Sequence, residues 1–306
     1  MKSKRLPKTA EREVPVSNQD KIFYPKTGFT KGEVIEYYRS ISPVLLPHLK
    51  GRAITLKRYP NGVDGSFFYE KQCPSHAPAW IKTTPVERAD GTVIDYCLLD
   101  DLPPLLWAVN LANLEIHPFM HRASAPTHPT ALVFDLDPGP PADVLQCAQV
   151  AIWIRDLFDR LGLKSLVKTS GSKGLQLIVP LNNRSTYATT KPFAQAVAAA
   201  LSYQFPDLVT DAMKKCQRSG KVFIDWSQND DKKTTVGVYS LRAKDRPFVS
   251  TPMTWIELEE ALRRKAPQRL VFLASDVLKR VSRHGDLYSD ALTLKQKLPA
   301  VEALLP

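Results

Sequence analysis

The chain has 306 residues, 43% of them hydrophobic, and a formal net charge of +11. This apolar share supports a substantial core, in one large domain or two closely joined lobes, and excludes an intrinsically disordered chain. No apolar run approaches the roughly 20 residues that span a bilayer, and the basic, polar start MKSKRLPKTAEREVP has no apolar signal segment behind it. Residues 1–16 read as a flexible basic arm. A helix is predicted over about 30–46, where Thr30 and Glu33 have capping-box spacing and Val34, Ile35, Tyr38 and Ile41 recur at helical intervals. Pro43 and Pro47 are expected to kink or end it. AITLKRY (53–59) and Phe67-Phe68-Tyr69 read as strands joined by the Pro60-Asn61-Gly62 turn, and short strands near 81–98 continue a small antiparallel sheet.

A second lobe is predicted from about 105. ALVFDLD (131–137) is a strand, residues 142–161 a helix ended by Gly162, and 165–180 a strand, turn and strand. A helix at about 190–204, with Pro192 in its first turn, precedes strands at 221–226 and 235–241. The tail is helical, with Thr254 and Glu257 as another capping box. The pattern is α+β in two lobes: a basic lobe over 17–104 and a second lobe over 105–306. Charge follows this division, since residues 1–58 hold 13 Lys/Arg against 5 Asp/Glu. A basic lobe beside a nearly neutral one suits a polyanion dock next to an active centre, although a solvated surface has the same composition. Cys73, Cys97, Cys147 and Cys216 form no CxxC pair, which argues against structural zinc and a disulfide framework and fits a reducing cytosol.

Asp135-Leu136-Asp137-Pro138 is the strongest local feature. Alternate strand residues share a face, so Asp135 and Asp137 project together while Leu132, Phe134 and Leu136 pack on the other side. Two like charges so close repel unless a cation lies between them, and oxygen donors suit Mg²⁺ or Mn²⁺. Sugar-nucleotide transferases also use DxD, and a solvated pair at a strand end would look the same. In Lys221-Val-Phe-Ile-Asp225-Trp226 a third acid interrupts an apolar strand. Either it converges with the first two, as two-metal phosphoryl transfer requires, or it pairs with a cation such as Arg242. Thr169-Ser170-Gly171-Ser172-Lys173-Gly174 offers small residues and a positive charge to an anion, as an ordinary hairpin turn also would; it is no Walker loop. Phe67 and Phe68, beside Lys57 and Arg58, have the makings of a stacking platform for single-stranded bases, core packing being the other reading.

In order, DKIFYPKTGFTKGE, LPHLKGRAITLKRYPNGVDGSFFYEK, LEIHPF, FDLDPG, TSGSKGLQ, FIDW and YSLRAKDRPFVSTPM resemble the polymerase domain of bacterial ligase D, in the archaeo-eukaryotic primase superfamily. The resemblance runs from about residue 18 to 290. It implies a primase-polymerase fold, with central antiparallel and mixed sheets flanked by helices, and a catalytic second lobe. It implies Asp135, Asp137 and Asp225 as metal ligands. It implies that His117, Ser170, Ser172, Lys173 and Arg242 bind the incoming nucleotide. Lys21 and Lys31 would grip a 5′-phosphate across a gap, with Phe67 and Phe68 stacked on the template. Many members have His where this chain has Gln176, which can still hydrogen-bond a phosphate or ribose oxygen but carries no charge. The family further implies a cytoplasmic, nucleoid-associated enzyme that extends DNA ends with NTPs or dNTPs during non-homologous end joining. Mn²⁺ is its usual metal, Mg²⁺ the alternative. It would work as a monomer, or paired across a break, beside Ku and a ligase domain or separate ligase. A primer-synthesising primase, an inactive module that binds 5′-phosphate ends, and a DxD glycosyltransferase are the competing readings.

Overall fold

The computed structural model describes residues 13–88 and 90–301. Of the arm expected over 1–16, residues 1–12 lie outside the described residues, while Val14 and Val16 pack half-buried against the first core. In chain order follow β1 (Ile22–Tyr24), β2 (Phe29–Thr30), α1 (Lys31–Leu49), β3 (Ala53–Arg58), β4 (Phe68–Glu70), β5 (Thr83–Glu87), β6 (Val93–Leu98), α2 (Leu102–Asn110) and β7 (Asn113–Pro118). Then come β8 (Ala131–Pro138), α3 (Val144–Arg160), β9 (Leu166–Thr169), β10 (Leu175–Pro180), α4 (Tyr187–Gln204) and β11 (Val209–Thr210). β12 (Val222–Asp225), β13 (Pro252–Met253), α5 (Trp255–Arg263), α6 (Ala274–His284) and α7 (Asp290–Thr293) complete the chain. The architecture is α+β. Among the described residues no helix is long and apolar enough to cross a membrane.

The capping box at Thr30 is formed: Glu33 N–H donates to Thr30 Oγ1 at 3.2 Å, and Thr30 N–H to Glu33 Oε2 at 2.7 Å. The helix it starts runs through Pro43 and Pro47 to Leu49, beyond the predicted end near 46. An interior proline costs about 3 kcal/mol, whereas fully burying one large apolar side chain returns roughly 1.5–3 kcal/mol. Val34, Tyr38, Ile41, Leu45 and Leu49 are all fully buried along this helix, so packing outweighs the two lost hydrogen bonds.

Two sheets carry the molecule. In the first, the order is β4-β3-β6-β5, and β7 also pairs with β3; β7 lies past the lobe boundary expected at 104/105. In the second, the order is β11-β12-β8-β10-β9-β13, antiparallel except for β11 with β12. Leu132, Phe134 and Leu136 of β8 bury against α3 and α4, as their alternation predicts. Ala131 and Val133, on the opposite face, join the core of the first sheet with Ile116 and Leu56. Asp135 and Asp137 continue that second face, so the acids look across from one sheet toward the other.

Two further predicted elements differ. α4 starts at Tyr187, so Pro192 falls in its second turn; Thr186 N–H donates to Thr189 Oγ1 at 3.2 Å and sets the earlier start. Residues 235–241 form no strand. Thr235 N–H donates to Pro118 O, Gly237 N–H to Ile116 O, and Tyr239 N–H to Ser250 O. Tyr239 has φ +63°, which turns the chain before a ladder can extend. The segment thus stitches β7 to the residues preceding β13.

Candidate active site

Antiparallel register places Asp225 opposite Asp135, Asp135 opposite Gln176, and Gln176 opposite Lys168. Directly opposed residues share a face, so one polar row crosses four strands, with Asp137 two residues along from Asp135. Burial, followed by the charge of Asp137, pushes the Asp135 carboxyl up to about 7. Asp137 is raised too, by desolvation and then by Asp225. Burial pulls the Lys168 ammonium down to about 7 although Asp135 lies beside it. Its Nζ donates to Ser250 Oγ at 2.6 Å and to Val236 O at 3.1 Å, which fixes it beneath the row.

Asp225 is turned into its own strand end. It accepts from Ser227 N–H at 3.0 Å, Ser227 Oγ at 2.5 Å and Gln228 Nε2 at 3.0 Å. The expected alternative partner, Arg242, lies elsewhere. As the side chains stand, no group of three or more His, Cys, Asp or Glu is in metal-holding geometry among the described residues. The donor set nonetheless fits a hard divalent cation. Asp135 and Asp137 are oxygen donors that burial and mutual repulsion destabilise, which a cation would reverse, and a rotation of Asp225 would add the third carboxylate.

A cavity of about 540 Å³ opens over this row. Its lining gathers His117, Asp135, Asp137, Ser170, Ser172, Lys173, Gln176 and Arg242, eight of the residues singled out from the sequence. The 170–174 turn is shaped by close approach. Gly171 has φ +67°, and a Cβ on Gly174 would collide with the Leu136 carbonyl. Ser170 Oγ accepts from both Ser172 N–H and Gly174 N–H at 3.2 Å. Arg242 donates through Nη1 to Ser170 O, and its Nε lies 3.3 Å from Glu115 Oε2. His117 Nε2 sits 3.0 Å from Glu115 Oε2, and burial lowers the imidazole below its ordinary range in spite of that carboxylate.

Sequence reasoning missed several lining residues. Lys71, Lys232, Lys233 and Lys244 stand with Lys173 and Arg242 around the cavity, six cations to the two lining carboxylates. Such an excess of positive charge attracts anions. Gln176 Nε2 donates to Thr235 Oγ1 at 2.7 Å, while its buried Oε1 has no hydrogen-bond partner.

The remaining predicted residues lie outside this cavity. Lys21 and Lys31 are neighbours: Lys31 N–H donates to Lys21 O at 2.8 Å, and the Lys31 ammonium is lowered by burial and by the Lys21 charge. Lys21 Nζ donates to Pro60 O and Asn61 Oδ1, Lys31 Nζ to Ser17 O and Asn110 Oδ1. Lys57 and Arg58 are not free cations. The β3 register brings carboxylates to them, so Lys57 pairs with Glu115 at 3.4 Å and Arg58 with Glu70 at 2.8 Å. Both cations instead underlie aromatic rings: Lys57 Nζ lies 4.5 Å from the Phe67 ring centroid, and the Arg58 guanidinium 5.1 Å from that of Phe68. Phe67, Phe68 and Tyr69 are 51%, 43% and 56% exposed, so the core reading fails for both phenylalanines.

Residues 30–288 match the family described as LigD, primase-polymerase domain. The multifunctional non-homologous end joining DNA repair protein LigD of Mycobacterium tuberculosis is 41% identical over 286 residues, covering 91% of this chain and 37% of that protein. The bifunctional non-homologous end joining protein LigD of Bacillus subtilis is 32% identical over 288 residues, covering 94% of this chain and 45% of that protein. The chain thus spans less than half the length of either relative. A solved polymerase domain from Mycobacterium tuberculosis ligase D, in complex with DNA, superposes with a TM-score of 0.86 at 38% identity, covering 94% of this chain and all of that one.

Proposed function

Because the chain belongs to the LigD primase-polymerase domain family, we propose that it is a nucleotidyltransferase that adds nucleotides to a DNA 3′-hydroxyl at gaps and breaks, in non-homologous end joining. One observation carries this reading. The cavity joins a pair of mutually repelling carboxylates to a ring of six cations, and an exposed aromatic strip lies beside it. Asp135, Asp137 and Asp225 would hold Mn²⁺ or Mg²⁺. When bound, the metal would supply charge neutralisation on the triphosphate and activation of the attacking hydroxyl.

The chain's own groups do the positioning. Lys173, Arg242 and the serine hydroxyls of the 170–174 turn hold the triphosphate, the planar guanidinium giving a two-pronged grip. His117 contacts the nucleotide from the β7 side, and Gln176 offers its unpartnered carbonyl oxygen to a sugar hydroxyl or a phosphate-bound water. Such fixed donors stabilise charge that develops on the departing pyrophosphate without having to reorganise. Lys21 and Lys31 take a downstream 5′-phosphate, their shared positive charge being the support for that role. Phe67 and Phe68 stack on template bases, with Lys57 and Arg58 stiffening the rings from below. The first sheet thus forms the DNA-holding lobe and the second sheet the catalytic one. Ku, a ligase activity, a cytoplasmic, nucleoid-associated location and a preference for Mn²⁺ and ribonucleotides complete the proposal.

The test is extension of a primer on gapped DNA with Mn²⁺ and single NTPs or dNTPs, with and without a downstream 5′-phosphate, beside Asp135→Ala. Extension stimulated by the phosphate and lost in the variant is expected. Phosphate-dependent binding without any extension would overturn the catalytic reading and leave an end-recognition module.

A further inference from the structure

Glu115 lies in β7, 1% exposed, and its two oxygens meet three hydrogen-bonding groups and one further cation. Oε1 receives Lys57 Nζ at 3.4 Å and Ala243 N–H at 3.1 Å. Oε2 is hydrogen-bonded with His117 Nε2 at 3.0 Å and forms an ion pair with the Arg242 guanidinium, whose Nε lies 3.3 Å away. These donors come from three places: β3, β7 and the 242–243 connector. Burial alone would raise such a carboxyl, yet His117, Arg242 and Lys57 hold it well below the usual carboxylate range, so it stays charged.

The three partners point to two different places. Arg242 and His117 end in the nucleotide cavity. Lys57 ends among aromatic rings, 4.5 Å from Phe67, 5.3 Å from Tyr59 and 5.5 Å from Tyr69. Phe67 in turn stacks on Tyr59 at 5.2 Å, and the Tyr69 ring meets the edge of His117 at 6.2 Å. The Glu115 carboxylate spans from the exposed platform to the phosphate-binding wall, and every link is a direct contact.

We infer that Glu115 is a positioning residue that couples the aromatic DNA platform to the nucleotide cavity, by holding Lys57, His117 and Arg242 in one arrangement. The inference rests on the nucleotidyltransferase reading. A base stacked on Phe67 immobilises Lys57, and through Glu115 this orders Arg242 and His117 before a nucleotide arrives. The second ligand then meets an arrangement the first has already ordered, so it binds more tightly, and linkage makes the effect mutual.

The experiment measures nucleotide affinity by calorimetry with Mn²⁺, with and without gapped DNA. The primer ends in a dideoxynucleotide, so no turnover occurs. The templating position is abasic, so base pairing adds nothing. Wild-type protein is expected to bind nucleotide about five-fold or more tightly when the DNA is present, at the lower end of common coupling. In Glu115→Gln the ratio falls to near one while each ligand still binds by itself, a change that a purely structural role would not produce. Lys57→Met, which removes only the arm toward the platform, lowers the ratio likewise and decides the matter if Glu115→Gln does not fold. A wild-type ratio of one, or a ratio retained in both variants, overturns the inference. Primer extension is read separately, so an active enzyme without coupling loses only this inference, whereas a protein that binds no nucleotide loses the underlying reading as well.

Discussion

Replacing Asp135 with Asn should abolish extension and at the same time stabilise the metal-free protein. The Asp135 carboxyl stands at about 7 against an ordinary 3.8, burial being the main cause and Asp137 the next. Three pK units correspond to a ceiling of roughly 4 kcal/mol against folding with the group ionised. Lys168 loses an attractive neighbour in the variant, and Asp137 relaxes, so about 2 kcal/mol is the expected net gain. The sign follows from the raised folded value. The cost is absent below about pH 4, where both states are protonated; it grows between 4 and 7 and is complete above 7. Thermal unfolding in EDTA should therefore show Asp135→Asn melting about 4 °C or more above wild type at pH 8, with no gain near pH 4. Mn²⁺ should raise the wild-type midpoint and leave the variant's nearly unchanged. A variant that melts at or below wild type at pH 8 without metal would refute the account of Asp135 as a destabilised ligand awaiting a cation.

Lys31→Met should cost about 1–3 kcal/mol in denaturant titrations, because the ammonium's hydrogen bonds to Ser17 and Asn110 hold a segment only 4% exposed at Lys31. Lys21→Met, at the surface, should stay within about 0.5 kcal/mol, and both should weaken binding to a recessed 5′-phosphate. Lys173→Ala should raise the KM for nucleotide roughly tenfold with unchanged DNA affinity, measured by single-nucleotide extension and by fluorescence anisotropy. Burial alone would raise the Asp286 carboxyl, but His48, 2.9 Å away, and Tyr239, at 2.7 Å, hold it low. A depressed folded value gives stability that is present above about pH 4 and lost as pH falls through it. Asp286→Asn should thus lower stability by about 2 kcal/mol at pH 7, with the gap to wild type closing in acid.

Whatever the period-two rule governs was legible. Asp135 and Asp137 share a face because strand geometry leaves no choice, and Leu132, Phe134 and Leu136 then had to make core on the other side. The Thr30/Glu33 capping box is a local exchange of two hydrogen bonds and formed as read. What failed was decided at a distance. Local rules stop a helix at Pro43, but a fully buried face carried α1 to Leu49. Thr235, Val236 and Val238 have strand character, yet the segment's backbone bonds, from Thr235, Gly237 and Tyr239, go to β7 and to Ser250 rather than along one neighbour. The carboxylate partners of Lys57 and Arg58 were not legible, because Glu115 and Glu70 come from other strands whose register no local pattern states.

The cationic wall shows the same limit from the functional side. Lys71 follows the aromatic strand, Lys173 sits in the β9–β10 turn, Lys232 and Lys233 follow β12, and Arg242 and Lys244 precede β13. No stretch of sequence is basic enough to announce such a wall, since its charges come from four segments that the two sheets bring to one opening. Glu115 was within reach: it precedes His117 by two residues on a strand, so any argument that put His117 in the site put Glu115 on the same face. A single acid among cations looks like a defect in a phosphate site when read along the chain. In three dimensions it is the counter-charge of one of them, Arg242, and of Lys57 and His117 beside it. An anion site this rich in positive charge needs an internal counter-charge to stay folded while it is empty, and a buried, fully hydrogen-bonded carboxylate supplies one without competing for the space the phosphates will take.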